Sequence, residues 1–308
     1  MAFNQASDAF MQNPSRSRSL TTKQRALNLS RQYYAEELRA VSNIQSEALV
    51  QAFAKVPREH FLGPGPWHVR SPGSDGYWTT KDADPQRLYH NILVAIDTSR
   101  QLNNGHPSFL AFLIDALELK KCEHVVHVGC GTGYYTAIMA EVVSADGHIT
   151  AVEVDSDLAS LARTNLSYLP HVRVLAGDGG NLDPGPCDAI LVNAGATHPR
   201  TIWLDSLRPG ARLLLPLTAA DEESVGGGGH VLIVKRHDEG LAARFISEVG
   251  IFPCLGARDS QLNEKLKEAF KRGDAKSVRS LRRDPRDADG SCWLHGEQFC
   301  LSKTSIAP

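Results

Sequence analysis

Three glycines occupy alternate positions, Gly129, Gly131 and Gly133, within the segment VVHVGCGTGYYTAIMAEVV at residues 125–143. An apolar run precedes these glycines and a helix-like pattern follows them, so the segment predicts a strand, a tight turn and a helix. Such a turn directs backbone N–H groups and the positive end of the helix toward a ligand, and glycine lets a nucleotide approach the main chain. A plain tight turn is the alternative interpretation of the same three residues.

Two carboxylates follow at the ends of the next two predicted strands. Glu153 ends one strand, about where doubly wound folds place an acid against ribose hydroxyls. Asp178 ends the next strand beside glycines, where a short acid can reach an adenine amino group. Each acid alone could be a helix cap or a turn residue. Dinucleotide folds prefer G-x-G-x-x-G, whereas G-x-G-x-G is the spacing in methyltransferases that use S-adenosylmethionine, so the three strand ends together predict S-adenosyl-L-methionine as the cofactor.

Strand and helix candidates alternate from residue 124 onward, which is typical of a doubly wound α/β fold. The strand candidates cover residues 124–128, 148–154, 172–178, 187–195, 211–218, 230–236 and 242–252, and the helix candidates cover 133–143, 157–168 and 199–207. We therefore predict a Rossmann-like, doubly wound, seven-stranded, mostly parallel sheet of the class I S-adenosylmethionine-dependent methyltransferase type.

Four segments follow from the composition and the apolar periodicity of the 308-residue chain. Residues 1–21 are polar and are expected to form a disordered arm, and residues 22–106 are expected to form an N-terminal helical cap and a substrate loop. Residues 107–258 would form the Rossmann-like domain, and the charged segment 259–308 a C-terminal helical extension.

The charge balance and the apolar runs restrict the possible partners. The chain has 33 basic and 35 acidic side chains, a net charge of −2, which gives no general attraction to nucleic acid or to an anionic membrane. No apolar run approaches the roughly 18 residues of a membrane helix. The charge balance and the apolar runs therefore predict no nucleic-acid or membrane partner. Because the six cysteines are scattered without a paired framework, we expect a cytoplasmic protein.

The chain resembles the protein-L-isoaspartate O-methyltransferase family over roughly residues 22–258. The likeness rests on several segments in the family's order: VPREHF, YHNILVAI, HVGCGTGY, AVEVDSDLASLARTNL, VLAGDGG, CDAILVNAGATHP, LRPGARLLLPL and EVGIFPCLG. The resemblance implies methyl transfer from S-adenosyl-L-methionine to a carboxylate, typically that of an isoaspartyl residue in a damaged protein. The matching motif positions predict these cofactor-binding residues: His127, Gly129, Cys130, Gly131, Gly133, Tyr134, Glu153, Val154, Gly177, Asp178, Gly179 and Asn193.

Two positions depart from the family pattern. The family usually has an acid where His127 stands, so cofactor contacts there could be altered or carried by water. It also places Ser or Thr two residues before the proline of LNNGHP, to hold the substrate carboxylate, and this chain has Gly105 there. We predict that Asn104 and His106 position the acceptor instead. The alternative interpretation of His106 is a residue at the N-terminus of a helix that only bonds to the loop. A carboxylate needs orientation and no general base, whereas a hydroxyl or amine acceptor could use neutral His106 as a base.

Three functions stay open at the level of the sequence. The first is a carboxyl O-methyltransferase acting on isoaspartyl or aspartyl groups of a protein or peptide. The second is a divergent methyltransferase for a dedicated small molecule or modified peptide, which Gly105 and the C-terminal extension favour. The third is a catalytically impaired cofactor-binding adaptor, which would bind the cofactor without turnover.

Cys292, His295 and Cys300 are residue types that can bind a metal ion and lie close together in the sequence. One pair of cysteines eight residues apart, with a histidine between them, lacks the paired spacing of structural zinc sites. The pattern favours a packed hydrophobic tail, and no metal site is expected.

Overall fold

The structure is a computed structural model that describes residues 21–71, 74–221, 226–284 and 287–306. The predicted disordered arm, residues 1–21, lies outside these ranges except for Thr21. Thr21 caps the first helix, because its side chain accepts a hydrogen bond from the Gln24 N–H and the Gln24 side chain accepts one from the Thr21 N–H.

The N-terminal segment begins with two helices, α1 (Thr22–Ser42) and α2 (Glu47–Lys55). A small antiparallel sheet follows, ordered β2-β1-β3-β4. Its strands are β1 (His68–Arg70), β2 (Trp78–Thr79), β3 (Leu93–Asp97) and β4 (Leu102–Asn103). The predicted helical cap is therefore helical only in its first part. The four strands of the small sheet have two to five residues each, too few for the alternating pattern that reveals a strand in a sequence.

A ten-stranded mixed sheet forms the body of the protein. Its strands are β5 (His124–Val128), β6 (His148–Glu153), β7 (Val172–Ala176), β8 (Cys187–Val192), β9 (Leu207–Ala219), β10 (Gly227–His237), β11 (Gly240–Ile251), β12 (Ser280–Arg282), β13 (Cys292–Gly296) and β14 (Phe299–Ser302). Their spatial order is β13-β14-β12-β11-β10-β9-β8-β5-β6-β7. The five strands β7, β6, β5, β8 and β9 are parallel, and the remaining pairings are antiparallel.

Helices cover both faces of this sheet, which confirms the doubly wound α/β class. They are α3 (Pro107–Ala116), α4 (Tyr134–Val143), α5 (Ser156–Asn165), α6 (Thr201–Ser206) and α7 (Ser260–Lys271). Alternate residues of the central strand contact two different cores, Val125 the one beneath α1–α4 and Val126 the one beneath α6 and α7. Burial on both faces explains why the parallel strands are nearly continuous apolar runs.

The predicted number of strands and the predicted helical extension need correction. Helix α7 is present, but β12, β13 and β14 also come from the C-terminal segment and add three strands to the expected seven. Trp293 anchors this addition, since its ring lies 5.0 Å from the Phe245 ring and 5.5 Å from the Phe270 ring. These contacts pack the ring of Trp293 against β11 and α7. No helix in the described ranges is long and apolar enough to cross a membrane.

Candidate active site at the carboxyl ends of the parallel strands

A cavity of about 890 Å³ opens where β5, β6, β7 and β8 end. Ligands of open α/β sheets bind at this edge, outside the carboxyl ends of the strands. The volume lies within the roughly 300–1,000 Å³ of typical cofactor sites. The lining includes most of the residues predicted to bind the cofactor: Gly129, Cys130, Gly131, Tyr134, Glu153, Val154, Gly177, Asp178, Gly179 and Asn193. Asn104 and His106, predicted to position the acceptor, line the same cavity.

The carboxylate of Glu153 connects the glycine turn to the end of β6. Its Oε2 accepts a hydrogen bond from the Gly131 N–H at 2.8 Å, and its Oε1 accepts one from the Asp155 N–H at 3.1 Å. Glu153 is 7% exposed, so the carboxylate is held in place with lone pairs left for a ligand. An acid in this position can accept hydrogen bonds from two neighbouring hydroxyl groups.

Asp178 lies at the end of β7, in a turn that its own side chain stabilises. Its Oδ1 accepts from the Gly180 N–H at 2.8 Å, and its Oδ2 accepts from the Asn181 side chain at 2.5 Å. The loop at Gly256 approaches closely, because a Cβ built there would lie 1.9 Å from Asp178 Oδ2. The two hydrogen bonds and the close approach of Gly256 hold the carboxylate at the cavity wall, where its remaining lone pairs are available to an amino group.

His127 and Gly133 lie outside the cavity lining, in contrast to the other predicted cofactor residues. His127 is fully buried on the face of β5 that packs against α4, and its Nδ1 is 2.8 Å from Thr136 Oγ1. Alternation of side chains along a strand places Val128 at the cavity and its neighbour His127 beneath the helix. Gly133 starts α4 with a φ of +97°, and a Cβ there would lie 2.8 Å from Leu166 Cδ1. Both residues therefore support the glycine turn from the side away from the cavity.

The amide orientation of Asn104 follows from its hydrogen bonds. Its Oδ1 accepts from the Val94 N–H at 3.2 Å and from Arg58 Nη2 at 3.3 Å. The other end of the amide, Nδ2, is buried and has no hydrogen-bond partner among the described residues. Asn104, which lines the cavity, therefore has a buried donor that is unpaired among the described residues.

A chain of hydrogen-bond contacts favours one tautomer of His106. Asn91 Oδ1 accepts from the Ser108 N–H, so the Asn91 Nδ2 group donates to Ser108 Oγ at 3.0 Å. Ser108 Oγ lies 3.1 Å from His106 Nδ1, and because Asn91 already donates to this oxygen, we assign the hydroxyl proton to the contact with the ring. Neutral His106 consequently carries its proton on Nε2, a buried atom that has no partner in the part of the chain that the structure describes. Burial, and secondarily the charge of Arg58, lowers the pKa of His106 and favours this neutral form.

Gly105 has a backbone conformation that serine resists. Its φ is +82°, and a Cβ at this position would lie 3.1 Å from Leu110 Cδ2 and 3.3 Å from Tyr135 Cε2. The Tyr135 hydroxyl donates to the Gly105 carbonyl at 3.2 Å, and Asn103 Oδ1 accepts from the Gly105 N–H at 2.9 Å. The loop is therefore built around glycine, which adopts a positive φ without strain.

Arg58 is the site residue that sequence reasoning missed. Its side chain is fully buried and donates to the carbonyls of Leu88 at 2.7 Å, His90 at 3.1 Å and Ile92 at 2.7 Å, as well as to Asn104. Its position within VPREHF was the only available signal. Two unpaired donors beside a buried cation form an environment that suits an anion.

Comparisons with known proteins agree with this geometry. A family model described as protein-L-isoaspartate(D-aspartate) O-methyltransferase matches residues 78–249. The protein-L-isoaspartate O-methyltransferase of Methanopyrus kandleri is 31% identical over 193 residues, 61% of this chain and 76% of that relative. The Ignicoccus hospitalis protein of the same name is 30% identical over 220 residues, 69% of this chain and 90% of that relative.

Solved structures show the same fold. A crystal structure assigned to a protein-L-isoaspartate O-methyltransferase from Plasmodium falciparum, in complex with S-adenosyl-L-homocysteine, superposes with a TM-score of 0.54 at 17% identity. The match covers 73% of this chain and 97% of that one. A second protein-L-isoaspartate O-methyltransferase gives a TM-score of 0.55 at 19% identity, with 88% and 87% of the two chains covered.

We predict that His127 makes the fold sensitive to acid. Burial lowers its pKa from 6.5 to about 3 in the folded protein. Below about pH 6.5 the unfolded chain therefore takes up a proton that the folded chain does not, and the free energy of unfolding falls by up to about 1.4 kcal/mol per pH unit from this group. Urea unfolding at about pH 7, 6 and 5 measures the slope.

The matched variants are His127→Gln and His237→Gln, the second at an exposed histidine of β10. His127→Gln should lower the slope of the free energy of unfolding against pH by up to about 1.4 kcal/mol per pH unit, which corresponds to one proton. His237→Gln should leave this slope unchanged. An identical slope in His127→Gln and the unaltered chain contradicts the assignment.

Proposed function

This chain belongs to the protein-L-isoaspartate(D-aspartate) O-methyltransferase family, and we propose that Asn104 and His106 hold the acceptor carboxylate of its reaction. The reaction is transfer of the methyl group of S-adenosyl-L-methionine to the carboxylate of an isoaspartyl residue in a protein or peptide. One observation carries the proposal: Asn104 and His106 line the cavity that contains the glycine turn, and each has a buried donor, Nδ2 and Nε2, without a partner among the described residues.

The cofactor-side wall suits S-adenosyl-L-methionine. The turn at Gly129–Gly131 would receive the methionine part, Glu153 the ribose hydroxyls and Asp178 the adenine amino group, by analogy with other doubly wound folds. The bound cofactor supplies a methyl group on a positively charged sulfur. The protein's own contribution is to hold that group beside the acceptor and away from water.

The acceptor-side wall provides orientation. A carboxylate accepts hydrogen bonds with both oxygens, so one oxygen can bond to Asn104 Nδ2 or His106 Nε2 while the other attacks. The charge of Arg58, which is felt at His106, also favours an anion over a neutral acceptor. These groups take over the task that the family assigns to a hydroxyl at the position of Gly105.

The tautomer of His106 argues against a hydroxyl or amine acceptor. Such an acceptor must lose a proton, but Nε2 already carries one and Nδ1 accepts from Ser108. A carboxylate is already ionised and needs no base. The family match favours carboxyl methylation of a protein or peptide over a dedicated small-molecule enzyme and over an impaired adaptor.

We also propose a cytoplasmic location. All six cysteines are free thiols, which is the expected state in a reducing compartment.

We predict that Glu153→Gln weakens cofactor binding. The substitution keeps the size of the side chain but removes the charge, and a hydrogen bond to a charged group contributes about 1.5–3 kcal/mol, so the loss should be on the order of tenfold or more. Calorimetric titration with S-adenosyl-L-homocysteine measures it. Asp157→Asn, an exposed acid on α5, is the matched control. Equal affinity in Glu153→Gln and the unaltered enzyme rules out this role for Glu153.

We predict that His106→Ala lowers kcat for an isoaspartyl peptide by roughly tenfold or more, because one donor to the carboxylate is lost. His106→Gln should recover part of the rate, since its amide nitrogen can donate. The affinity for S-adenosyl-L-homocysteine should stay unchanged in both variants. If both variants turn over as fast as the unaltered enzyme, His106 is only a helix N-terminal residue.

We predict that Gly105→Ser lowers methylation of an isoaspartyl peptide even though it restores the usual hydroxyl. Serine at a φ of +82° is strained, and its Cβ would be forced against Leu110 and Tyr135. A radiolabelled methyl-transfer assay compares it with Gly105→Ala, which has the same strain without the hydroxyl. A large gain specific to the serine variant would show that the acceptor loop keeps the usual family geometry.

A further inference from the structure

The C-terminal hairpin, formed by β13 and β14, brings two thiols and an imidazole together. The ligand atoms of Cys292, His295 and Cys300 all lie within 4.8 Å of one another. Cys292 Sγ is 3.9 Å from His295 Nδ1. The hairpin lies at the edge of the large sheet and contributes nothing to the lining of the cavity described above.

A β-bulge is what aligns the three side chains. Cys292 pairs with Ser302 and His295 pairs with Cys300, while the register shifts between Cys292 and Leu294. In a regular strand, residues 292 and 295 would point to opposite faces, because side chains alternate. The inserted residue, Trp293, changes the alternation so that Cys292 and His295 share a face with Cys300.

The other face of the same hairpin is anchored in the core. Leu294 and Leu301 pair directly, and both belong to the core beneath α6 and α7 together with Trp293. The predicted hydrophobic packing of the tail is therefore confirmed. It also holds the backbone that carries the thiols and the imidazole, so their approach to one another does not depend on a free loop.

The spacing matches the coordination of zinc. Zn–S bonds of about 2.3 Å and Zn–N bonds of about 2.0–2.1 Å in a tetrahedron put ligand atoms about 3.6–3.8 Å apart. The 3.9 Å from Cys292 Sγ to His295 Nδ1 is already close to that value. The remaining separations, at most 4.8 Å, need to close by about 1 Å at most, which side-chain rotation can supply.

We propose that Cys292, His295 and Cys300 form a zinc site, with water completing the fourth position. Two thiolates and a neutral imidazole are the ligand set that zinc prefers over magnesium or calcium, and two thiolates balance the charge of the ion. The ion would join the two strands of the hairpin on the face away from the core. The spacing in the sequence predicts no metal in the tail, whereas the bulge brings the three side chains together in space.

The test uses the full chain, reduced and stripped of metal with a chelator that is then removed. Zinc is added, unbound metal is separated, and the zinc retained is measured by mass spectrometry. Cobalt is added in place of zinc to a second sample, in which bound thiolates give an intense near-ultraviolet charge-transfer band. Cys292→Ser and His295→Gln change half-buried ligands, and Cys122→Ser, an exposed cysteine outside the hairpin, is the matched control.

We expect one zinc per chain in the unaltered protein and in Cys122→Ser, and loss of the zinc in Cys292→Ser and His295→Gln. Zinc should also raise the melting temperature of the first two proteins but not of the other two, because it binds the folded state preferentially. Binding of S-adenosyl-L-homocysteine by each variant confirms that it is folded. Zinc retained equally by all four proteins overturns the proposal, as do retention by none and a Cys292–Cys300 disulfide that persists under reducing conditions.

Discussion

The acceptor side of the active site depends on one buried cation, the guanidinium of Arg58. Three backbone carbonyls and the amide oxygen of Asn104 accept hydrogen bonds from it. Burial of a charge is costly unless hydrogen bonds compensate it, and neutral oxygens compensate it without cancelling its field. That field, after burial itself, lowers the pKa of His106. We propose that the same field stabilises an anion at the cavity wall, so that Arg58 both shapes the loop and selects the charge of the acceptor.

A hydrogen bond connects this wall to the segment that carries the glycine turn. Glu153 accepts from the Gly131 N–H and so links β6 to the glycine turn. Tyr135, in the first turn of the helix that follows, donates to the carbonyl of Gly105. The end of β6 and the acceptor loop are therefore attached to the two ends of one short segment, residues 131–135. Methyl transfer requires the two reactants to be aligned, and this attachment holds the acceptor loop in register with the turn.

The parts of the structure that depend on local periodicity could be predicted from the sequence. The strand at 124–128 has the predicted bounds, and the residues after β5, β6 and β7 line one cavity as expected. The role of His127 could not be read in this way, because neighbouring residues of a strand serve different sides of the sheet. The assignment of the His106 proton to Nε2 depends on contacts of Asn91 and Ser108 that only the structure shows. The C-terminal strands and their bulge depend on packing around Trp293, which is a long-range effect.

The central claim is that neutral His106 donates from Nε2 to the acceptor carboxylate. Nitrogen-15 NMR of the protein, labelled at histidine and compared with His106→Gln for assignment, measures it directly. We expect the free enzyme to show the tautomer with the proton on Nε2. Addition of an isoaspartyl peptide together with S-adenosyl-L-homocysteine should shift the Nε2–H signal toward a stronger hydrogen bond, and the matching aspartyl peptide should not. A proton on Nδ1, or an Nε2 signal that stays unchanged when the isoaspartyl peptide is bound, would contradict the account.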